Sequence, residues 1–127
     1  MPVRPPVHNA GGRRRDYESQ RGSARRQGYT AGWDRLSRTY RSTFPLCVGC
    51  QAVGRIALAA VTDHVVPHKG DPDRMWSFEN LQPLCRWHHD TVKQRLELMR
   101  AQGLIGDQDL RMDSPTAVAL TKRLQPP

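Results

Sequence analysis

Nowhere in these 127 residues is there an apolar run long enough to cross a bilayer. A spanning helix needs about 20 apolar residues, whereas the longest aliphatic stretch, IALAAV, covers only residues 56–61. No apolar segment follows the arginine-rich start, so no secretory leader is expected and a cytoplasmic setting is. Hydrophobic residues make up 37% of the chain, which excludes a large core and makes an internal staple useful. With only three cysteines, the chain is not a disulfide scaffold. In a reducing compartment a Cys-x-x-Cys pair reads instead as metal binding or redox chemistry. Internal repeats are also absent.

Acidic side chains are few, 12 against 20 Lys and Arg, and the formal net charge is +8. The excess is concentrated. Residues 1–43 hold ten basic and three acidic side chains, while residues 44–100 hold seven and six, and residues 101–127 three and three. A basic arm on a nearly neutral body suits a polyanion partner, because phosphate neutralisation releases counterions irrespective of sequence. The same composition also suits a solvated tail with no partner.

Residues 1–28 are rich in Pro, Gly and Arg and cannot bury enough surface to offset ordering entropy, so a flexible arm is expected there. Arg13, Arg14, Arg15, Arg25 and Arg26 are its candidate contacts to nucleic acid. From Thr30 onward Trp33, Leu36 and Tyr40 recur at helical spacing, with Arg35, Arg38 and Arg41 on other faces, predicting a short amphipathic helix. Cys47-Val48-Gly49-Cys50 follows and reads as a tight turn, with the glycine supplying conformational freedom. Residues 56–66, rich in Val, Ile and Ala, are expected to form one or two strands ended by Pro67. Residues 68–77 read as a polar loop that returns Trp76 and Phe78 to the core. Residues 90–102 favour a helix with Val92, Leu96 and Met99 as its apolar stripe and Gly103 at its C-cap. Asp113, Ser114 and Pro115 can open a terminal helix through Leu124.

Two ligand pairs stand about 35 residues apart, Cys47-x-x-Cys50 and Cys85-x-x-His88. Thiolate sulfur and imidazole nitrogen are the donors of a tetrahedral zinc site, and a Cys3His set without an open position is structural. A redox motif would need no such downstream partner. The x-x spacing favours His88 over the adjacent His89 as the fourth ligand. Asp63, His64, Asn80 and His89 are then left over. Phosphodiester hydrolysis needs an activated water and stabilisation of charge on the phosphate and the departing oxygen. A neutral histidine can take the proton from water near pH 7. A carboxylate with an imidazole can hold a hard divalent cation. Asp63 and His64 are consecutive on an expected strand, so they face opposite sides and need not share a ligand shell. Each of these residues also has a plain structural role available to it; their combination between two knuckles is what points to a nuclease.

The ordered combination resembles the HNH (His-Asn-His) endonucleases, whose fold is called ββα-metal, and in particular their short phage and prophage versions. The resemblance covers about residues 29–100 and rests on Pro45-Leu46-Cys47-x-x-Cys50, on Val61-Thr62-Asp63-His64-Val65-Val66-Pro67-His68, and on Asn80-Leu81-Gln82-x-Leu84-Cys85-x-x-His88-His89. It implies His64 as general base, Asn80 as the residue orienting the loop between two strands, and Asp63 with His89 as ligands of a catalytic divalent ion such as Mg2+, Mn2+ or Ni2+. His68 is left between a metal contact, a phosphate contact and a role in the structure of the loop. Two departures stand out: His88 replaces the usual second cysteine of the knuckle, and Asp90-Thr91-Val92-Lys93 stands where a Lys-Thr pair is common.

The expected architecture is therefore small α+β: a flexible basic arm over residues 1–28, a nuclease domain over 29–103 with a short amphipathic helix and a ββα-metal core stapled by zinc, and a tail or docking helix over 104–127. The expected activity is metal-dependent nicking or cutting of DNA, with no membrane partner. Relatives encoded beside packaging genes make a phage terminase or portal component a partner by analogy. Two competing functions remain: a non-catalytic zinc-knuckle module that binds nucleic acid or a protein partner, and an RNA-directed nuclease or colicin-like toxin.

Overall fold

The computed structural model of the chain describes residues 30–124. The expected arm over residues 1–28, with Arg13, Arg14, Arg15, Arg25 and Arg26, lies outside the described residues. The chain divides into two compact units at Arg38 and Thr39. In the first, the described residues 30–38 are helical, and in the second residues 39–43 are; these helical residues are α1. Along it Tyr40 is buried and Trp33 and Leu36 are half-buried while Asp34, Arg35 and Arg38 are exposed, as the spacing of the apolar positions predicts.

The second unit is a small α+β structure around a two-stranded antiparallel sheet. Its elements run α2 (Val48–Gln51), β1 (Val61–His64), α3 (Pro72–Trp76), β2 (Leu81–Leu84), a π-helical stretch (His88–Lys93) continuing as α4 (Gln94–Ala101), and α5 (Pro115–Leu124). Single 3-10 turns at Phe78–Asn80 and Asp107–Leu110 join them. No helix among the described residues is long and apolar enough to cross a membrane.

In the sheet Val61 pairs with Leu84, Thr62 with Pro83, Asp63 with Gln82 and His64 with Leu81. Pro83 is tolerated for a simple reason. Val65 N–H donates to Asn80 O, and hydrogen-bonded pairs alternate from there through Asp63 and Gln82. Pro83 therefore falls at a pair whose amides point away from the partner strand, where a missing N–H breaks nothing. Leu46 and Leu58 add an isolated antiparallel bridge.

The core joins both ends of this unit. Cys47, Cys50, Val65, Leu84, Val92, Leu96, Leu110, Met112 and Ala117 form one buried cluster. Val92 and Leu96 bury one face of the long helix in this cluster, with the half-buried Met99 packed against it, and Gly103, at φ 77, ends that helix as expected. The Ser114 hydroxyl accepts Ala117 N–H at 3.1 Å and Pro115 occupies the first helical position, so α5 starts where the sequence places it.

Several local expectations need correction. Cys47-Val48-Gly49-Cys50 is not a glycine-dependent turn but the start of α2, with the Cys47 thiol as its N-cap. Gly49 is needed for space: a Cβ there would lie 2.4 Å from the His88 ring. The polar loop contains a helical turn, α3, because Asp71 caps it and Pro72 fixes its first residue. Met75, rather than Trp76 or Phe78, is the residue of that stretch that is buried. The long helix begins at Arg86 rather than Asp90, since the Cys85 sulfur accepts His88 N–H and serves as its cap.

Candidate functional site

Two separate constellations grow from these elements. The first joins the two capped helix starts. Cys47 and Cys50 lie at α2, Cys85 precedes the long helix and His88 lies in its first turn; their ligand atoms all fall within 4.8 Å of one another. His88 Nδ1 stands 3.5 Å from Cys47 Sγ, 3.5 Å from Cys50 Sγ and 3.4 Å from Cys85 Sγ, and Cys50 Sγ stands 3.8 Å from Cys85 Sγ. A tetrahedron with bonds of about 2.3 Å to sulfur and 2.0–2.1 Å to nitrogen has edges of about 3.8 Å between sulfurs and about 3.6 Å between sulfur and nitrogen. The four residues thus form a candidate zinc site with the spacing that zinc requires. The sequence left His88 and His89 adjacent as alternatives, and the structure brings His88 to the sulfurs.

The electrostatics agree. Burial, reinforced by the neighbouring thiols, pushes the Cys50 thiol up to about 12 and raises Cys47 as well. Burial, with Arg55 nearby, lowers His88 to about 4. The Cys47 and Cys50 thiols, crowded on one buried imidazole, resist ionisation until a dication shares their charge. His88 Nε2 lies 3.2 Å from Thr121 Oγ1, whose hydroxyl donates to Ala117 O at 2.8 Å. Thr121 therefore accepts from Nε2–H and directs the Nδ1 lone pair at the sulfurs. Sequence reasoning missed this contact, since Thr121 lies 33 residues away and belongs to no motif.

The second constellation crosses the sheet to the start of the long helix. Asp63 on β1 and His89 meet with Oδ1 and Nε2 3.8 Å apart. His89 Nδ1 lies 2.8 Å from Asp90 Oδ1. A carboxylate only accepts, so Nδ1 carries a proton, and the neutral ring then presents its Nε2 lone pair toward Asp63. Two acceptors then face each other across a gap that a cation fits. Ligands of one ion bound at about 2.1 Å span from about 3 Å when adjacent to about 4.2 Å when opposite. With two protein ligands the shell would keep room for water and phosphate oxygens.

The other oxygen of Asp63 is already used. Oδ2 accepts from Lys93 Nζ at 2.9 Å and from Gln82 Nε2 at 3.0 Å. Burial raises the Asp63 carboxyl, and the Lys93 ammonium and Gln82 amide oppose that rise. Lys93 is fully buried and donates also to His64 O at 2.7 Å and Glu97 Oε1 at 3.1 Å, so it is a structural cation. Gln82 reaches further: Nε2 donates to Leu110 O and Oε1 accepts Met112 N–H. Sequence reasoning assigned neither Lys93 nor Gln82 a contact to Asp63. Their buried polar groups could be read only as solvent-facing ones there.

His64 points away from Asp63 along the strand and approaches Met75 O through Nε2 at 3.0 Å. A carbonyl only accepts, so Nε2 bears the proton and the basic lone pair is on Nδ1. Burial holds this imidazole below its ordinary value. Asn80 ties the loop between the strands. Its Nδ2 donates to Val66 O and Arg74 O, both at 2.9 Å, and its Oδ1 accepts Val66 N–H at 3.0 Å. His64, Asn80 and the loop they anchor thus form one unit. A cleft of about 380 Å3 opens between Tyr40, Phe44, Leu46, Gln51, Pro83 and Arg111; none of the candidate catalytic side chains lines it.

Comparison with protein-family models, with curated proteins and with solved structures finds no match.

Proposed function

We propose that this chain is a metal-dependent endonuclease of the HNH type, with a ββα-metal core formed by β1, β2 and the helix from Arg86, and with Cys47, Cys50, Cys85 and His88 holding structural zinc. The observation that carries this reading is the facing pair of acceptors, Asp63 Oδ1 and His89 Nε2, 3.8 Å apart. A divalent ion held there would neutralise charge on a DNA phosphate and on the departing oxygen. His64, neutral near pH 7 with its lone pair on Nδ1, would take a proton from the attacking water. Asn80 would act at one remove, holding the loop whose Met75 carbonyl fixes the His64 tautomer.

The test is nicking of supercoiled plasmid by wild type and His64→Ala in Mg2+, Mn2+ or Ni2+, each with and without chelator. Metal-dependent nicking that disappears in a still-folded His64→Ala supports the reading. DNA binding with no nicking under any metal would instead favour the non-catalytic zinc module.

A further inference from the structure

The loop between β1 and α3 carries two polar groups with no role in the reading above. His68 stands edge-on to His64, with ring centroids 4.9 Å apart and planes at 61°. Its Nδ1 lies 3.0 Å from Gly70 N. A backbone amide only donates, so Nδ1 presents its lone pair and the ring proton is on Nε2. Among the described residues Nε2 meets no hydrogen-bond partner. This arrangement removes two roles at once. To bind a metal through Nε2, the ring would have to move its proton to Nδ1, against the Gly70 N–H. To act as a base it would have to use the Nδ1 lone pair that Gly70 already holds.

The backbone around it is unusual as well. Asp71 N–H closes a turn on His68 O at 2.8 Å, with Lys69 at φ 46 and Gly70 at φ 87 between them. Two successive left-handed residues define the type I′ geometry, which Asn-Gly adopts readily and Lys-Gly does not. Lys69 is the described non-glycine residue with positive φ, and such strain persists where surrounding structure imposes it, often at functional positions. Its side chain is exposed and has no ion-pair partner among the described residues.

We infer that His68 and Lys69 form a phosphate-binding pair beside His64, in which His68 Nε2–H donates to a non-bridging oxygen of a nucleic-acid phosphodiester and the Lys69 ammonium offsets its charge. The identity of the phosphate rests on the nuclease reading; the donor character of His68 does not. A neutral imidazole N–H next to the residue proposed as base positions the phosphate without competing for the water proton.

Nitrogen NMR of the zinc-loaded full chain, labelled at histidine, tests this directly. The His68 ring is expected as the Nε2–H tautomer, and its Nε2 signal should shift when a short DNA duplex is added. In Mn2+ titrations His68→Leu should bind the ion as wild type does, while its nicking efficiency falls about tenfold, the loss expected for one hydrogen bond to a charged group. His68→Gln, which keeps an N–H donor, should recover part of that loss. The inference is overturned by an Nδ1–H tautomer, by an Nε2 signal indifferent to DNA, or by a loss of Mn2+ affinity in His68→Leu equal to that of His89→Ala. If wild type nicks nothing, the nuclease reading fails alone, and the tautomer with the DNA-induced shift still decides the phosphate pair.

Discussion

Lys93 Nζ lies 2.9 Å from Asp63 Oδ2, with the lysine side chain 0% and the aspartate side chain 7% exposed. Burying an ammonium is tolerable only when every proton finds an acceptor, and here the three acceptors are Asp63, Glu97 and the His64 carbonyl. The lysine thereby fixes which carboxylate oxygen is left to face His89.

Removing that cation should cost more than a surface ion pair would. Lys93→Met leaves the Asp63 carboxylate buried with Gln82 alone on Oδ2, and the expected loss is about 3 kcal/mol in urea unfolding. Adding Asp63→Asn to Lys93→Met should restore part of it, giving a coupling of about 1–2 kcal/mol in the double-mutant cycle. Additive losses would mean that the two side chains are neighbours without being partners.

Zinc uptake should release protons in a number set by the pKa directions. Cys50, pushed up to about 12, and Cys47, also raised, are thiols at pH 7 and must each lose a proton to bind metal. His88, lowered to about 4, is already neutral at that pH and releases none. At least two protons therefore leave, so apparent zinc affinity should climb at least about a hundredfold per pH unit near neutrality. Calorimetry in buffers of different ionisation enthalpy counts the protons; fewer than two would mean that the cluster is pre-ionised.

Gly49 offers a sharper probe of the same site than a ligand substitution. A Cβ at Gly49 would lie 2.4–2.8 Å from three atoms of the His88 ring, so Gly49→Ala must displace either the ring or α2. It should lower stability by about 1–3 kcal/mol and weaken zinc binding measurably in competition with a chromophoric chelator. Gly54→Ala is the control: its Cβ would meet nothing within 4 Å, though φ is 78. That variant should lose about 1 kcal/mol through backbone strain and leave zinc affinity unchanged.

What could be read in the sequence was what lies close along it. The two knuckles are short-range patterns, and the choice of His88 over His89 followed from one turn of spacing. The C-cap at Gly103 was equally local, whereas of the one or two strands expected over residues 56–66 only Val61–His64 forms, and it pairs with Leu81–Leu84, where no strand was expected. Side chains whose meaning depends on distant neighbours could not be read. A lysine in a polar helix looks solvated, and only the fold reveals that Lys93 faces Asp63 from 30 residues away. Gln82 belongs to no expected element in the sequence, yet it lies opposite Asp63 in the register and holds Leu110 O and Met112 N. Trp76 and Phe78 looked like the core because of their size, whereas the Asp71-Pro72 cap turns Met75 inward.

The C-terminal helix should matter to the metal although it supplies no ligand. Thr121 accepts from His88 Nε2 and passes its own proton to Ala117 O, so it holds the imidazole in the tautomer that aims Nδ1 at the sulfurs. Thr121→Val keeps the volume and removes the acceptor, leaving a buried N–H unpaired. Partners of this kind are typically worth about 10–100-fold in metal affinity, and a drop at the lower end of that range is expected here. Thr121→Ser keeps the hydroxyl and should stay near wild type. The two variants differ in one polar atom, so competition for zinc separates orientation of the ligand from packing of α5. Equal affinities for both would show that His88 is held by the sulfurs and the Gly49 gap alone.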